Sequence, residues 1–176
     1  KINVAKQKLS GVSTSACYIC GNIRHGKGCF HPDALLKMAD GSEKKAREVA
    51  AGDELWNPVA KRAVRVVRVV EGPEDLGVVE LSYEGFALRV SQKHPVLTGN
   101  GMKPAGELQP GEIVFDGEGR ERRLERVTLL PIEEGQRVIN FILDGALDAQ
   151  DRMILAEGIV SGDLIVQLDL AAGRPQ

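Results

Sequence analysis

The sequence predicts an all-β fold made of two related halves, and three observations carry that prediction. Val64-Arg65-Val66-Val67-Arg68-Val69-Val70 is a β-branched run of strand type. Gly77 to Tyr83 and Phe86 to Val90, split by Glu84-Gly85, read as a hairpin closed by a two-residue turn. Finally, Glu48-Val49-Ala50-Ala51-Gly52-Asp53-Glu54-Leu55-Trp56 matches Glu107-Leu108-Gln109-Pro110-Gly111-Glu112-Ile113-Val114-Phe115 position for position. Both read acid, aliphatic, two variable, Gly, acid, variable, aliphatic, aromatic, and each follows a Gly turn, at Asp40-Gly41 and at Asn100-Gly101. Two copies are too few for a solenoid, which needs three or more. They suit duplicated halves related by a pseudo-twofold axis.

The remaining elements follow in order. Residues 1–28 are polar, with loop-like stretches at Ser10 to Ser15 and Gly21 to Gly28, and read as a segment flanking the domain on its upstream side. From Cys29 onward the texture changes to short β-type runs punctuated by Gly and Pro. Further strands are expected at Ile113 to Phe115, Leu124 to Leu130, Val138 to Leu143, Met153 to Leu155 and Leu164 to Leu170. Helical turns are expected only within Lys44 to Ala51 and Lys103 to Leu108. The division is therefore an upstream segment at 1–28, a processing domain at 29–163, and a C-terminal strand or tail at 164–176.

Bulk properties narrow the function classes. A chain of 176 residues holds one domain with a real core. A formal net charge of −2 gives no reason to expect nucleic acid or an anionic membrane as partner. Lys61, Arg62, Arg65 and Arg68 alternate with Val pairs and read as a solvated strand edge. No apolar run approaches the roughly 20 residues of a membrane span, and the N-terminal stretch has no signal-peptide core. A soluble monomer is expected, with the cytoplasm preferred as its compartment.

Three cysteines within a short span do not form a disulfide framework. Cys29, directly after Gly28, has its thiol close to the preceding carbonyl, with no side chain at position 28 in the way. Such a thiol suits an N-to-S acyl shift that replaces the Gly28–Cys29 peptide bond with a thioester. That reaction needs a proton for the departing amine and a polarised or twisted amide. Ser91-Gln92-Lys93-His94-Pro95, immediately after a predicted strand, offers an imidazole that works near neutral pH and a hydroxyl. Lys93 and Lys27 are cations suited to lowering the Cys29 pKa from its ordinary ~8.5.

Taken together, these blocks resemble the Hint (hedgehog/intein) superfamily. Cys29-Phe30 through Asp40-Gly41-Ser42 and Gly52-Asp53 resembles its opening block, and Ser91-x-x-His94-Pro95 resembles its Thr-x-x-His block with Ser for Thr. Val138-Ile139-Asn140-Phe141 and Leu155 to Val160 resemble its closing block, so the match runs from Cys29 to about Asp163. The subgroup it resembles most is the VWA-associated (Vint-type) group or the bacterial intein-like group.

The resemblance implies a horseshoe of pseudo-twofold related β-hairpins and a single-turnover, self-cleaving activity rather than a multiple-turnover enzyme. It implies Cys29 as nucleophile, His94 as the group assisting amide cleavage and Ser91 as a helper hydroxyl. Asn140 stands where inteins often carry Asp. Arg152 stands at a frequent histidine position, and Ser161-Gly162-Asp163 replaces the His-Asn pair of splicing inteins. Splicing needs an Asn amide that cyclises, and the carboxylate of Asp163 is a poorer nucleophile for that step. N-terminal cleavage without splicing is therefore expected. The substrate is the chain's own upstream polypeptide, and water or a small nucleophile is the acceptor.

A competing reading takes Cys17, Cys20, His25 and Cys29 as soft ligands at zinc-like spacing, making a structural or interaction module. A zinc-held thiolate is blocked from attacking its neighbour, so the two readings conflict. No cofactor is expected, with zinc retained as inhibitor or structural ion. A third reading is a Hint fold that survives in catalytically silent form.

Overall fold

The computed structural model describes residues 29–145 and 148–174. Fourteen strands are described: β1 (Leu35–Lys37), β2 (Glu43–Lys45), β3 (Glu54–Asn57), β4 (Arg62–Pro73), β5 (Val78–Tyr83), β6 (Phe86–Ser91) and β7 (Pro95–Thr98) come first. They are followed by β8 (Gly101–Pro104), β9 (Ile113–Phe115), β10 (Glu121–Arg123), β11 (Arg126–Leu130), β12 (Arg137–Leu143), β13 (Met153–Ala156) and β14 (Ile159–Gly162). A helix, α1 (Leu164–Ala171), follows. All the pairings are antiparallel, and the sheet orders are β10-β9-β7-β14-β13-β1-β2 with β8 on β7, β11-β5-β6, and β12-β4-β3. The all-β expectation holds. Among the described residues no helix is long and apolar enough to cross a membrane.

The sequence echo is a structural one. A short 3₁₀ turn opens each copy, at Ala46–Glu48 and Ala105–Glu107, where helical turns were expected. The Gly of each copy lies in the left-handed region, with φ of 95° at Gly52 and 92° at Gly111, which Gly adopts without a Cβ clash. The acid that follows accepts a backbone N–H three residues back (Ala50 to Asp53, 3.0 Å; Gln109 to Glu112, 2.6 Å) and pairs with a Lys nine residues back (Lys44, 3.0 Å; Lys103, 2.8 Å). Long-range bonds repeat as well: Gly52 N–H to Val66 O and Gly111 N–H to Leu124 O, Ala46 N–H to Ala34 O and Ala105 N–H to His94 O. Two halves with the same bonds at a constant offset of about 60 positions are the product of one local physics applied twice.

Backbone pairing fixes where residue 29 lies. The segment around Phe30 runs antiparallel to β6 with Phe30 opposite Val90. His31 N–H donates to Arg89 O at 3.0 Å, and Ser91 N–H donates to Cys29 O at 2.8 Å. On its other side Phe30 exchanges both backbone bonds with Ile139 of β12, at 2.7 and 2.9 Å. The segment thus joins the two three-stranded sheets. Phe30, Leu81, Leu88, Val90 and Phe141, all fully buried, form the core beneath this seam.

The β5–β6 hairpin closes through Glu84 and Gly85 with φ of 44° and 86°, the paired positive values of the tight hairpin turn. Tyr83, at its end, is 2% exposed and donates its hydroxyl to Gly158 O at 2.7 Å, tying this hairpin to the β13–β14 turn. Tyr83→Phe leaves that carbonyl without its donor and should cost roughly 1–2 kcal/mol in denaturant unfolding.

Two expectations are corrected. Leu164 to Leu170 is helix, not strand: Asp163 caps it by accepting from Ile165 and Val166 N–H, at 3.0 and 3.1 Å, and the turn buries Leu164, Ile165, Val166 and Gln167 together. A short apolar run does not distinguish a strand from a buried helix by periodicity, and the cap decided it. The basic run on β4 is not an edge, because β4 lies between β3 and β12. Its solvated character holds at Arg62 and Arg65, both exposed, which pair with Asp151 and Glu54.

Candidate active site

The register at the seam sets the site. Pairing Phe30 with Val90 and with Ile139 puts Cys29 directly opposite Ser91 on one neighbour and opposite Asn140 on the other. Residues opposite one another in an antiparallel ladder send their side chains to the same face, within about 5 Å at Cβ. Three of the residues singled out in the sequence, far apart along the chain, therefore converge.

His94 joins them through the turn after β6. Its N–H donates to Ser91 O at 3.0 Å, and its fully buried ring meets the Phe30 ring edge-on, with centroids 4.3 Å apart at 60°. The imidazole is thus held against the residue that follows Cys29. Gly28 and Lys27 lie outside the described residues, as do the alternative metal ligands Cys17, Cys20 and His25.

Cys29 is 7% exposed and not in a disulfide. Its thiol is pushed up from 9.0 to about 12, by burial first and by the Glu74 carboxylate second. The expectation that lysines would lower this pKa is corrected, since the nearby charge is negative and the surroundings are dry. A thiol so raised is almost wholly protonated near neutral pH.

Glu74 is the site residue that sequence reasoning missed. It follows Gly72-Pro73 at the end of β4 in a stretch that looks like a solvated turn, yet it is 4% exposed. The Ser91 hydroxyl donates to its Oε2, and Leu76 N–H donates to Oε1 at 2.8 Å. The Ser91 proton is therefore aimed at a carboxylate rather than at a neighbouring carbonyl.

Asn140 is fully buried; its amide donates to Gln167 Oε1 of α1 at 3.2 Å and its carbonyl accepts Phe141 N–H at 2.8 Å. Arg152 and Asp163 form a separate buried cluster. Arg152 donates to Asp163 Oδ2 at 3.0 Å, to Leu143 O at 2.8 Å and to Gly145 O at 2.9 Å. Asp163 accepts from Leu143, Ile165 and Val166 N–H besides Arg152. Burial pushes the Asp163 carboxyl up, against the pull of Arg152 and these backbone donors. Both its oxygens are engaged in fastening β12, the turn before β13 and α1 to one another. Asp163 and Arg152 hold the end of the domain, and through α1 they place Gln167 on Asn140.

A cleft of about 540 Å³ opens beside this face, lined by Leu76, Gln92, Lys93, Glu107, Gln167 and Leu170 among others. Leu76 and Gln92 are close neighbours in sequence of Glu74 and Ser91, so the cleft borders the site. Among the described residues no group of three or more His, Cys, Asp or Glu is arranged to hold a metal ion.

The architecture is that of the inteins and the bacterial intein-like domains, the Hint fold. The gp41-1 intein superposes with a TM-score of 0.65 at 16% identity, over 77% of this chain and 98% of that one. A bacterial intein-like domain from Clostridium thermocellum gives 0.65 at 20% identity, covering 77% and 97%. A Synechocystis DnaB intein gives 0.64 at 18% identity, covering 77% and 98%. No family model matches the chain, and no curated protein matches it by sequence.

Proposed function

We propose that this chain is a Hint-type autoprocessing domain that cleaves its own backbone at Gly28–Cys29 and does not splice. The observation that carries the reading is the register that sets Cys29 between Ser91 and Asn140, with His94 packed on Phe30, in a fold shared with inteins. In the first step the Cys29 sulfur bonds to the carbonyl carbon of Gly28 and the C–N bond breaks. The departing amine of Cys29 takes a proton from His94, leaving a thioester. Water or an external nucleophile entering from the bordering cleft then takes the acyl group and returns the thiol. His94 is suited to the transfer because an imidazole both gives and takes up a proton, and its ring is held against Phe30, the residue after Cys29.

The absence of splicing is argued from Asp163. Ring closure at that residue would have to pull its carboxylate from four N–H donors and unwind the first turn of α1. The Asn140 amide is likewise no proton carrier, so the burden of acid–base work falls on His94 and on whatever accepts the thiol proton.

Incubating the purified precursor with a small thiol should accelerate release of a fragment ending at Gly28, seen by intact mass as the thioester of that thiol. A second fragment beginning with Cys29 should appear in equal amount. No religated product and no cleavage after Asp163 is expected. An unchanged mass in both arms would count against the reading. One of the structurally similar inteins, the Msm DnaB1 splicing domain, is bound with zinc. Addition of zinc, and its removal by a chelator, therefore forms a third arm, in which capture of Cys29 predicts slower cleavage.

A further inference from the structure

A carboxylate buried as deeply as Glu74 is ordinarily paired with a cation or a metal, because taking its charge out of water is costly. Its partners here are a hydroxyl and a backbone N–H, with no lysine or arginine between them. Nothing in the fold requires a charge there, since a Gln of the same shape would satisfy the Leu76 N–H. The hydroxyl it holds belongs to Ser91, the residue directly opposite Cys29 in the ladder. A buried carboxylate that holds a hydroxyl of the site, and that has no lysine or arginine as partner, is a candidate for a chemical role.

We propose that Glu74, acting through the Ser91 hydroxyl, is the proton acceptor for the Cys29 thiol; this rests on Cys29 being the nucleophile. The proton leaves Cys29 Sγ for Ser91 Oγ as the Ser91 proton passes to Glu74 Oε2, while the sulfur forms its bond to the Gly28 carbonyl carbon. The C–N bond then breaks and the amine collects its proton from His94. Glu74 ends as a neutral acid and His94 as a neutral imidazole, and transfer of one proton between them resets the site. The Cys29 thiol feels this carboxylate across the seam, and His94 is tied by its N–H to the backbone of the Ser91 that the carboxylate holds. Free thiolate never has to accumulate, which removes the obstacle set by the dry surroundings of the sulfur. Glu74 is a positioning residue in this scheme, and Ser91 a relay rather than a donor to the scissile carbonyl.

The test sets Glu74→Gln against two readings with opposite signs. As an acceptor, Glu74 draws off the thiol proton; Glu74→Gln should slow cleavage at neutral pH by about 10²-fold, with a rate that climbs as pH rises and hydroxide takes over that task. As a mere negative charge it suppresses the thiolate, and its removal would accelerate cleavage. The second readout is alkylation of Cys29 by iodoacetamide at alkaline pH, in a Cys17→Ser/Cys20→Ser background. There Glu74→Gln should react faster than the parent, since the opposing charge is gone, even as it cleaves more slowly. Glu74→Asp should recover part of the cleavage rate, and Ser91→Ala should lose it as Glu74→Gln does. Cleavage by Glu74→Gln at the parent rate or faster across the pH range overturns the proposal, as does Ser91→Ala cleaving normally should Glu74→Gln fail to fold. Persistence of cleavage in Cys29→Ala would instead sink the nucleophile assignment beneath it, so the two failures are told apart.

Discussion

Replacing Cys29 by Ala is expected to abolish cleavage at Gly28–Cys29, a loss on the order of 10⁴-fold or more, since the proposed acyl shift cannot begin without the thiol. The substitution should leave the fold intact. The position is buried, but the backbone bonds that hold the segment come from Phe30, His31 and the Cys29 carbonyl, none of which involves the thiol. Loss of a small thiol from the seam costs on the order of 1 kcal/mol by area lost. A time course by intact mass, beside a melting curve, separates the two effects: full-length precursor at all times with a near-parental transition. Because the parent thiol sits near a pKa of about 12, the parent itself should be slow unless the proton acceptor is intact.

The second large effect is on stability, at the far end of the domain. Arg152→Met should cost about 3–5 kcal/mol, because it leaves the Asp163 carboxylate buried without its counter-charge and frees the carbonyls of Leu143 and Gly145. For a domain of this size that is a fall of roughly 10 °C in Tm. Arg152→Met combined with Asp163→Asn should cost less than Arg152→Met alone. The second change removes the stranded charge while an amide oxygen still caps α1. Equilibrium denaturation of the single and double variants measures this coupling; additive losses would mean that the two residues do not act as a unit. The single variant should also cleave more slowly, since α1 carries the Gln167 that holds Asn140.

Much of the fold could be read from the sequence because its determinants are local. The Gly-acid turns at Gly52-Asp53 and Gly111-Glu112 dictate the same bonds wherever they occur, and the Glu84-Gly85 turn fixes the hairpin register between β5 and β6. Repetition of those turns told of two halves, and the pairing of Phe30 with Val90 is what brings residue 29 against residue 91. The error at Leu164 to Leu170 came from composition, as leucine, isoleucine and valine suit either element. What settled it was Asp163, read in the sequence as a displaced splicing residue and used by the structure as a helix cap.

The candidate site was legible where chemistry and motif coincide, at Cys29, Ser91 and His94. Glu74 was invisible for the opposite reason. A Glu after Gly-Pro looks like a solvated turn, and its burial depends on Ser91 and Leu76 closing over it, which no local pattern encodes. The Cys29 pKa was misjudged in the same way: the lysines are conspicuous in sequence, whereas desolvation is a property of the packed seam.

Hydroxylamine at neutral pH attacks thioesters and leaves ordinary peptide bonds alone, so it tests the central chemistry directly. Added to the folded precursor, it should release a fragment ending at Gly28 whose mass carries a C-terminal hydroxamate, together with a fragment whose first residue is Cys29 with a free amine. The Cys29→Ala precursor should release neither. Precursor that stays whole while folded, or a hydroxamate at any other residue, would contradict a thioester at Cys29.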